Sequence, residues 1–447
     1  MPRTPFFFLL VAGVLCSAAR AEEALDVTPE LTAGIGVFSV GNAGFGQGIG
    51  RRDGSGKVRS PNWAEGYLKP GLTVRLDRPG LGALYGAVSV VGSTTQGDGD
   101  AIAPNQLTHG GVSHADLERA MIGWKSGDLL EQRDAIDLSF GRQDFLMGDG
   151  FLLNDGNLDL GREAASWFGP RSAWAGSAVG RFNWDPLHAD LFWLKSDPDT
   201  GGMSIAGINV EARFGERGTI GAALLRVGHD NPTGSGRLGS DGVSSLREGM
   251  RVVDLRARGN PLAALPDLTL AAEGVIERND GTGRRLAAEG WYTETGWTFS
   301  ALPWQPALTY RYAHFSGDDP ASRDRSENFD PLRYGMVRGW GSYYHGEVAG
   351  QYYLFNSNEN LHMVQLAASP REDLRVGAIW YALALDRAAA GEPRDFGREI
   401  DLYADWTAAP WLTLSGVWGL LAPEAYARRH YGDDPTMVTE LIATLRF

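Results

Sequence analysis

The chain closes on Glu440-Leu441-Ile442-Ala443-Thr444-Leu445-Arg446-Phe447, in which Leu441, Ala443, Leu445 and Phe447 alternate with Glu440, Ile442, Thr444 and Arg446. Successive side chains of a β-strand point to opposite faces, so this stretch presents an apolar face backed by a face that carries charge. The pattern recurs upstream. In 248–258, Val253, Leu255 and Ala257 oppose Asp254, Arg256 and Arg258. In 397–407, Ile400, Leu402, Ala404 and Trp406 oppose Glu399, Asp401, Tyr403 and Asp405, and in 66–76, Leu68, Leu72, Val74 and Leu76 oppose Lys69, Thr73 and Arg75.

Eighteen such runs can be read, the first over 31–40 and the last over 437–447, and sustained helical periodicity is almost missing. Several runs have the roughly ten residues that a tilted strand needs to cross a bilayer. The links between runs alternate long and short. Residues 41–65, 95–113, 144–171 and 317–360 are long, whereas Asp77–Leu81, Asp185-Pro186 and Pro370–Glu372 are tight. Long outer loops, short periplasmic turns and an even strand number are the signature of a transmembrane antiparallel β-barrel. The expectation is an all-β, monomeric barrel of about eighteen strands over 22–447, with the four long links extracellular. Tyr343–Phe355 is placed in the last of these loops, because adding it as a strand would invert the alternation. The final strand, ending in Phe447, is similar to the assembly signal of bacterial outer-membrane barrels, which makes the barrel-assembly machinery an expected partner.

Residues 1–21 read as a secretory signal: Arg3, an apolar run from Phe6 to Ala19, and the small-x-small site Ala19-Arg20-Ala21. The one cysteine, Cys16, lies inside it, so the exported chain is expected to have neither disulfide nor thiolate chemistry. On this cleavage reading the first strand follows within about ten residues, and no N-terminal plug domain is expected. The 447 residues carry 41 Lys plus Arg against 55 Asp plus Glu, a net charge of −14. Such an acidic chain is a poor nucleic-acid binder. Hydrophobic residues at 43% exclude disorder. Its cations are almost all arginine, the lysines being Lys57, Lys69, Lys125 and Lys195.

A charge facing lipid at mid-bilayer costs about 2–4 kcal/mol, so the charged faces are expected to line the lumen. This turns Arg75, Arg119, Arg181, Arg213, Arg311, Arg375 and Arg446 inward, with Asp190, Glu211, Asp254, Glu273, Glu277 and Glu289. Trp174, Trp184, Trp193, Trp291, Trp297, Trp304, Trp406, Trp411 and Trp418 are assigned to interfacial girdles. For Trp167, Phe168, Tyr343 and Tyr344, loop packing outweighs a sugar-stacking platform.

Three stretches carry a family resemblance: Ser139–Phe151 (SFGRQDFLMGDGF), Tyr310–Leu332 with YRYAHFSGDDP and NFDPL, and Glu399–Tyr403 (EIDLY). Together they resemble the alginate-export family of outer-membrane porins. The resemblance implies an eighteen-stranded barrel that exports an anionic polysaccharide, alginate or a related polyuronate, through an arginine-rich constriction. It singles out Arg142 and Arg311, and strand parity adds Arg75, Arg119 and Arg181. Guanidinium suits this cargo because it stays charged and matches carboxylate geometry. Arg142 shares parity with Ile136, Leu138 and Phe140; either a bulge at Gly141 re-aims it or it sits at the strand end. The expected partners are outer-membrane lipid, the polysaccharide or a small solute, and periplasmic export proteins. The alternative functions are uptake of small, anionic nutrients and a purely structural barrel.

No enzyme chemistry and no cofactor are expected. The histidines are scattered, and HExxH and Gly-x-Ser-x-Gly are missing. Asp155, Asn157 and Asp159 begin like an EF-hand loop, but Leu160 stands where glycine is needed. The glycine-rich stretch Gly41–Gly56 reads as a loop.

Overall fold

The computed structural model describes residues 24–51, 54–99, 110–157, 163–198, 201–230, 247–280, 285–335, 337–338 and 345–447. The signal segment 1–21 with Cys16, and Asp159, Leu160, Tyr343 and Tyr344, lie outside the described residues.

Among the described residues eighteen antiparallel strands close into one barrel. In chain order they are β1 (Ala24–Gly41), β2 (Asn62–Arg78), β3 (Gly82–Gly97), β4 (Val112–Lys125), β5 (Ile136–Arg142), β6 (Gly176–Trp184), β7 (Leu187–Lys195), β8 (Ser204–Arg213) and β9 (Thr219–His229). There follow β10 (Arg251–Gly259), β11 (Leu268–Asn279), β12 (Arg285–Thr298), β13 (Ala307–Phe315), β14 (Glu359–Arg371), β15 (Leu374–Leu385), β16 (Asp395–Ala409), β17 (Leu412–Pro423) and β18 (Thr436–Arg446). Each strand pairs with the next, and β18 pairs back on β1 from Thr32↔Arg446 to Gly41↔Met437. Closure leaves no sheet edge along this register, which lets a sheet stand in lipid. Each of the eighteen runs read from the sequence corresponds to one strand. The residues expected to lie in a loop around Ala349–Tyr352 form one short helical turn.

The two faces sort as parity requires. On β10, Leu255 is 62% exposed while Asp254 is wholly buried. On β16, Ile400 and Leu402 face out, whereas Glu399, Asp401 and Tyr403 are buried. Trp184, Trp193, Trp304, Trp406, Trp411 and Trp418 are exposed, as a girdle needs.

Two side chains differ from expectation. Glu289 lies on the outward face, since its neighbours Ala288 and Tyr292 are the buried ones. It stands near the long-link end of β12, where a lipid-side charge costs about 0–1 kcal/mol. Trp174 is fully buried rather than interfacial. It precedes β6 inside the β5–β6 link, with its backbone N–H on the Gln143 carbonyl at 3.0 Å and its indole N–H on the Phe145 carbonyl at 3.3 Å.

The two longest links do not stand away from the barrel. The described residues of 143–175 and 316–358 turn inward, burying Phe145, Phe151, Leu152, Leu153, Phe329, Leu332 and Tyr352. The stretches are too apolar to lie in water, and the barrel interior supplies the wall they pack on: Phe145 meets Phe192 at 4.6 Å and Phe151 meets Phe315 at 5.6 Å between ring centroids.

Leu255→Arg, an arginine on the outward face of β10, is expected to lower barrel stability by about 2–4 kcal/mol. Urea titration of the protein folded into lipid vesicles checks this against wild type.

Candidate functional site

The two inward links meet and bond to each other. The N–H of Asn154 donates to the Arg333 carbonyl at 2.8 Å, the N–H of Arg333 to the Leu152 carbonyl at 3.0 Å, and the N–H of Gly335 to the Gly150 carbonyl at 2.9 Å. Arg333 is buried at this junction and donates to the Asn157 carbonyl and to Ser196 Oγ, each at 2.9 Å. Burial and the nearby Arg247 guanidinium push Arg333 down to about 10. Arg247 is held in turn by Asp330, whose backbone N–H donates to Glu277 Oε2 of β11 at 2.9 Å. The other half of the first link crosses to the far wall, where the Trp167 indole donates to Glu440 Oε1 at 2.9 Å and its ring packs on Phe38 at 5.0 Å. Trp167 and Phe168 are thus engaged in packing.

The five arginines singled out from sequence each sit beside a carboxylate. Arg75 donates to Asp77 at 2.8 Å, and Arg119 pairs with Glu30. Arg142 donates through Nη1 to Asp197 at 3.0 Å and through Nε to the Glu118 carbonyl at 3.0 Å. Gly141, at φ 119°, allows that re-aiming, since a Cβ there would lie 2.3 Å from the Ala120 carbonyl oxygen. Arg142 is the last residue of β5, which is the strand-end reading; the ladder to β4 runs through Gly141 in continuous register, without the bulge. Arg181 lies 3.8 Å from both Asp137 and Asp190. Arg311, with only 4% of its side chain exposed, donates to Glu294 at 2.6 Å. The five are spread around the wall and do not form one cluster.

A denser group lies on β8 to β13. Arg256 donates to Glu211 at 2.8 Å and to Asp254 at 2.6 Å. Arg338, from the second inward link, forms an ion pair with Asp149 at 2.6 Å and donates to Glu294 at 2.8 Å. Burial opposes its charge, but Glu294, Tyr292 and Asp149 outweigh it and hold the guanidinium above its ordinary value. Arg258 donates to the other oxygen of Asp149 at 3.3 Å and keeps 57% of its side chain exposed. Below these groups, toward the short turns, open cavities of about 940 Å³ and 610 Å³, both lined by Arg217, Arg258 and Glu294. A third, of about 340 Å³, reaches Asp149, Arg256 and Tyr292. Strand parity had placed Arg256 and Arg258 inward without ranking them. Arg338 and Asp149 lie on links, where no periodicity marks a facing; the Gly-Asp-Gly motif was the one signal for Asp149, and Arg338 had none.

Residues 235–423 match the model of the family described as alginate export. This is the family that the motifs resemble. No curated protein matches the chain. Among solved structures, the Pseudomonas aeruginosa porin OccK2 (OpdF) is similar at TM-score 0.56 and 14% identity, over 94% of this chain and 98% of that one. Pseudomonas aeruginosa OccK5 (OpdH) is similar at TM-score 0.55 and 10% identity, over 94% and 98%. A structure of OccK2 in complex with glucuronate is similar at TM-score 0.53 and 13% identity, over 94% and 96%. The chain has the barrel fold of these outer-membrane porins. Its apolar exterior, closed strands and charged interior place it in a bacterial outer membrane. Among the described residues, no group of three or more His, Cys, Asp or Glu is arranged to hold a metal ion. Asp155 Oδ1 accepts the Asn157 N–H at 2.8 Å, which is turn geometry.

Arg333→Ala keeps the backbone ladder but removes the buried side-chain bonds to the Asn157 carbonyl and Ser196 at the junction. It is expected to cost about 2–3 kcal/mol of local stability. Limited proteolysis within 143–175 and 316–358 should speed up while the barrel keeps its heat-modifiable mobility on gels.

Proposed function

We propose that this porin passes uronate-bearing saccharides, with alginate or a related polyuronate, or its fragments, as cargo. The observation that carries this reading is a coincidence of place. The stretch matched to the alginate-export family, 235–423, supplies Arg256, Arg258, Arg311, Arg338 and Glu294, which is most of the charged group above the cavities. A guanidinium contacts a uronate carboxylate through paired N–H donors, and contacts that rearrange let a chain move on. Barrels of this class keep their short turns in the periplasm. On that orientation the 940 Å³ cavity opens to the compartment from which an exported chain comes.

A second reading, uptake of small anionic solutes, is favoured by one feature. The two inward links pack apolar residues inside the barrel and bond to each other there, which reduces the open interior. The five arginines read from sequence belong to this proposal as wall positions, Arg311 within the denser group and Arg75, Arg119, Arg142 and Arg181 on β2, β4, β5 and β6.

Planar bilayer recordings separate the two readings. Oligouronate is expected to block the open channel. Arg258→Ala should raise the half-blocking concentration about tenfold, the loss of one charge-assisted contact of ~1.4 kcal/mol. Block by a small carboxylate with no effect of oligouronate would favour the uptake reading and remove the polymer.

A further inference from the structure

The Gly148-Asp149-Gly150 turn delivers a carboxylate to the top of the cavity system by a constrained backbone. Both glycines adopt positive φ, 57° and 85°. A Cβ at Gly150 would lie 2.0 Å from the Gly335 carbonyl oxygen, and one at Gly148 would lie 2.9 Å from the Arg256 side chain. The chain can approach the second link and β10 this closely only without side chains on either side of the aspartate. The carboxylate so placed bridges two guanidiniums from different elements, Oδ1 to Arg258 of β10 and Oδ2 to Arg338 of the second link. Tyr292 Oη lies 3.5 Å from Oδ2.

The two arginines are not equally committed. Arg338 also holds Glu294, which keeps Arg311 as well. For Arg258, Asp149 is the one ion-pair partner among the described residues, and more than half of the Arg258 side chain stays open to the cavity. We propose that Asp149 is an internal stand-in for the substrate carboxylate. At rest it pairs with Arg258 and Arg338, and a uronate carboxylate arriving from the cavity exchanges with it at Arg258. This rests on the uronate reading above and deepens it to a seat and a mechanism. A stand-in has two physical consequences. It spares the interior the cost of an unpartnered, partly buried guanidinium. It also makes each binding event an exchange of like for like, so net affinity stays low enough for passage.

The test compares wild type with Asp149→Asn in planar bilayers, reading the reversal potential in a KCl gradient and the block by sodium glucuronate. Asp149→Asn is expected to shift the reversal potential toward chloride preference and to lower the glucuronate half-blocking concentration about tenfold. Asp149→Ser, which lacks the amide, should move the reversal potential the same way. Adding Arg258→Gln to Asp149→Asn should abolish both gains. An unchanged reversal potential, weaker glucuronate block, or a larger conductance at unchanged selectivity overturns the proposal, the last outcome marking Asp149 as a tether of the links. A gain in chloride preference while glucuronate blocks neither protein supports the anion seat and instead removes uronates as cargo.

Discussion

A bilayer offers no partner to a backbone N–H or C=O, and the architecture follows from that constraint. Strands that enter lipid must bond to neighbours on both sides, so the sheet has to close, here by β18 returning to β1. Closure fixes an inside and an outside, and the two-residue period then assigns each side chain to one of them. Leucine and isoleucine go to lipid; arginine, aspartate and glutamate are left with the interior. The interior charges must in turn satisfy one another, because a buried charge without a partner is costly. Asp137, Arg181 and Asp190, and then Glu211, Arg256 and Asp254, follow around the wall as alternating signs.

That alternation leaves a wide barrel with a charged wall, and the two inward links change what it encloses. Their apolar residues find cover only against the wall and each other. Where the links meet, their backbone groups pair in a short ladder around Arg333. The interior is therefore asymmetric along its axis: the links occupy the part where they cross, and cavities remain toward the short turns. The charged group containing Asp149, Arg258 and Arg338 lies where links and cavities meet, so a solute in the cavity encounters both fixed wall charges and charges carried on links.

The strand faces could be read from sequence because a misplaced charge in mid-membrane is expensive, and evolution leaves few errors in so strict a period. Leu255 and Asp254 show how sharply neighbours are sorted. Near the rim the rule relaxes, and there parity misassigned Glu289. Trp174 was misread for a related reason: it lies just outside a strand, where alternation no longer applies and its environment is set by the Gln143 and Phe145 carbonyls. The direction of the long links was equally hidden. Nothing in local periodicity says whether Phe151 or Leu332 lies over the barrel mouth or inside it. The signal was composition, since such apolar stretches cannot be free loops in water. The arginines chosen by motif and parity each sit beside a carboxylate, but Asp149 and Arg338 depend on long-range contacts between links that have no sequence period.

A net charge of −14 appears unsuited to an anionic cargo. The conflict disappears once the field of the whole chain is separated from local pairing. A strongly basic lumen would concentrate anions, but it would also hold a polyanion at many sites at once. In this barrel nearly every interior guanidinium near the cavities already has a carboxylate, so the wall is close to neutral at the scale of a few ångströms. Selectivity then comes from exchange between carboxylates and not from bulk attraction. A solute gains only the difference between its own carboxylate and the resident one, together with whatever its hydroxyl groups add. That difference is small for a uronate, unfavourable for a cation and absent for a neutral sugar. Paired arginines thereby discriminate by charge while leaving passage reversible, whether the solute is short or is one unit of a long chain.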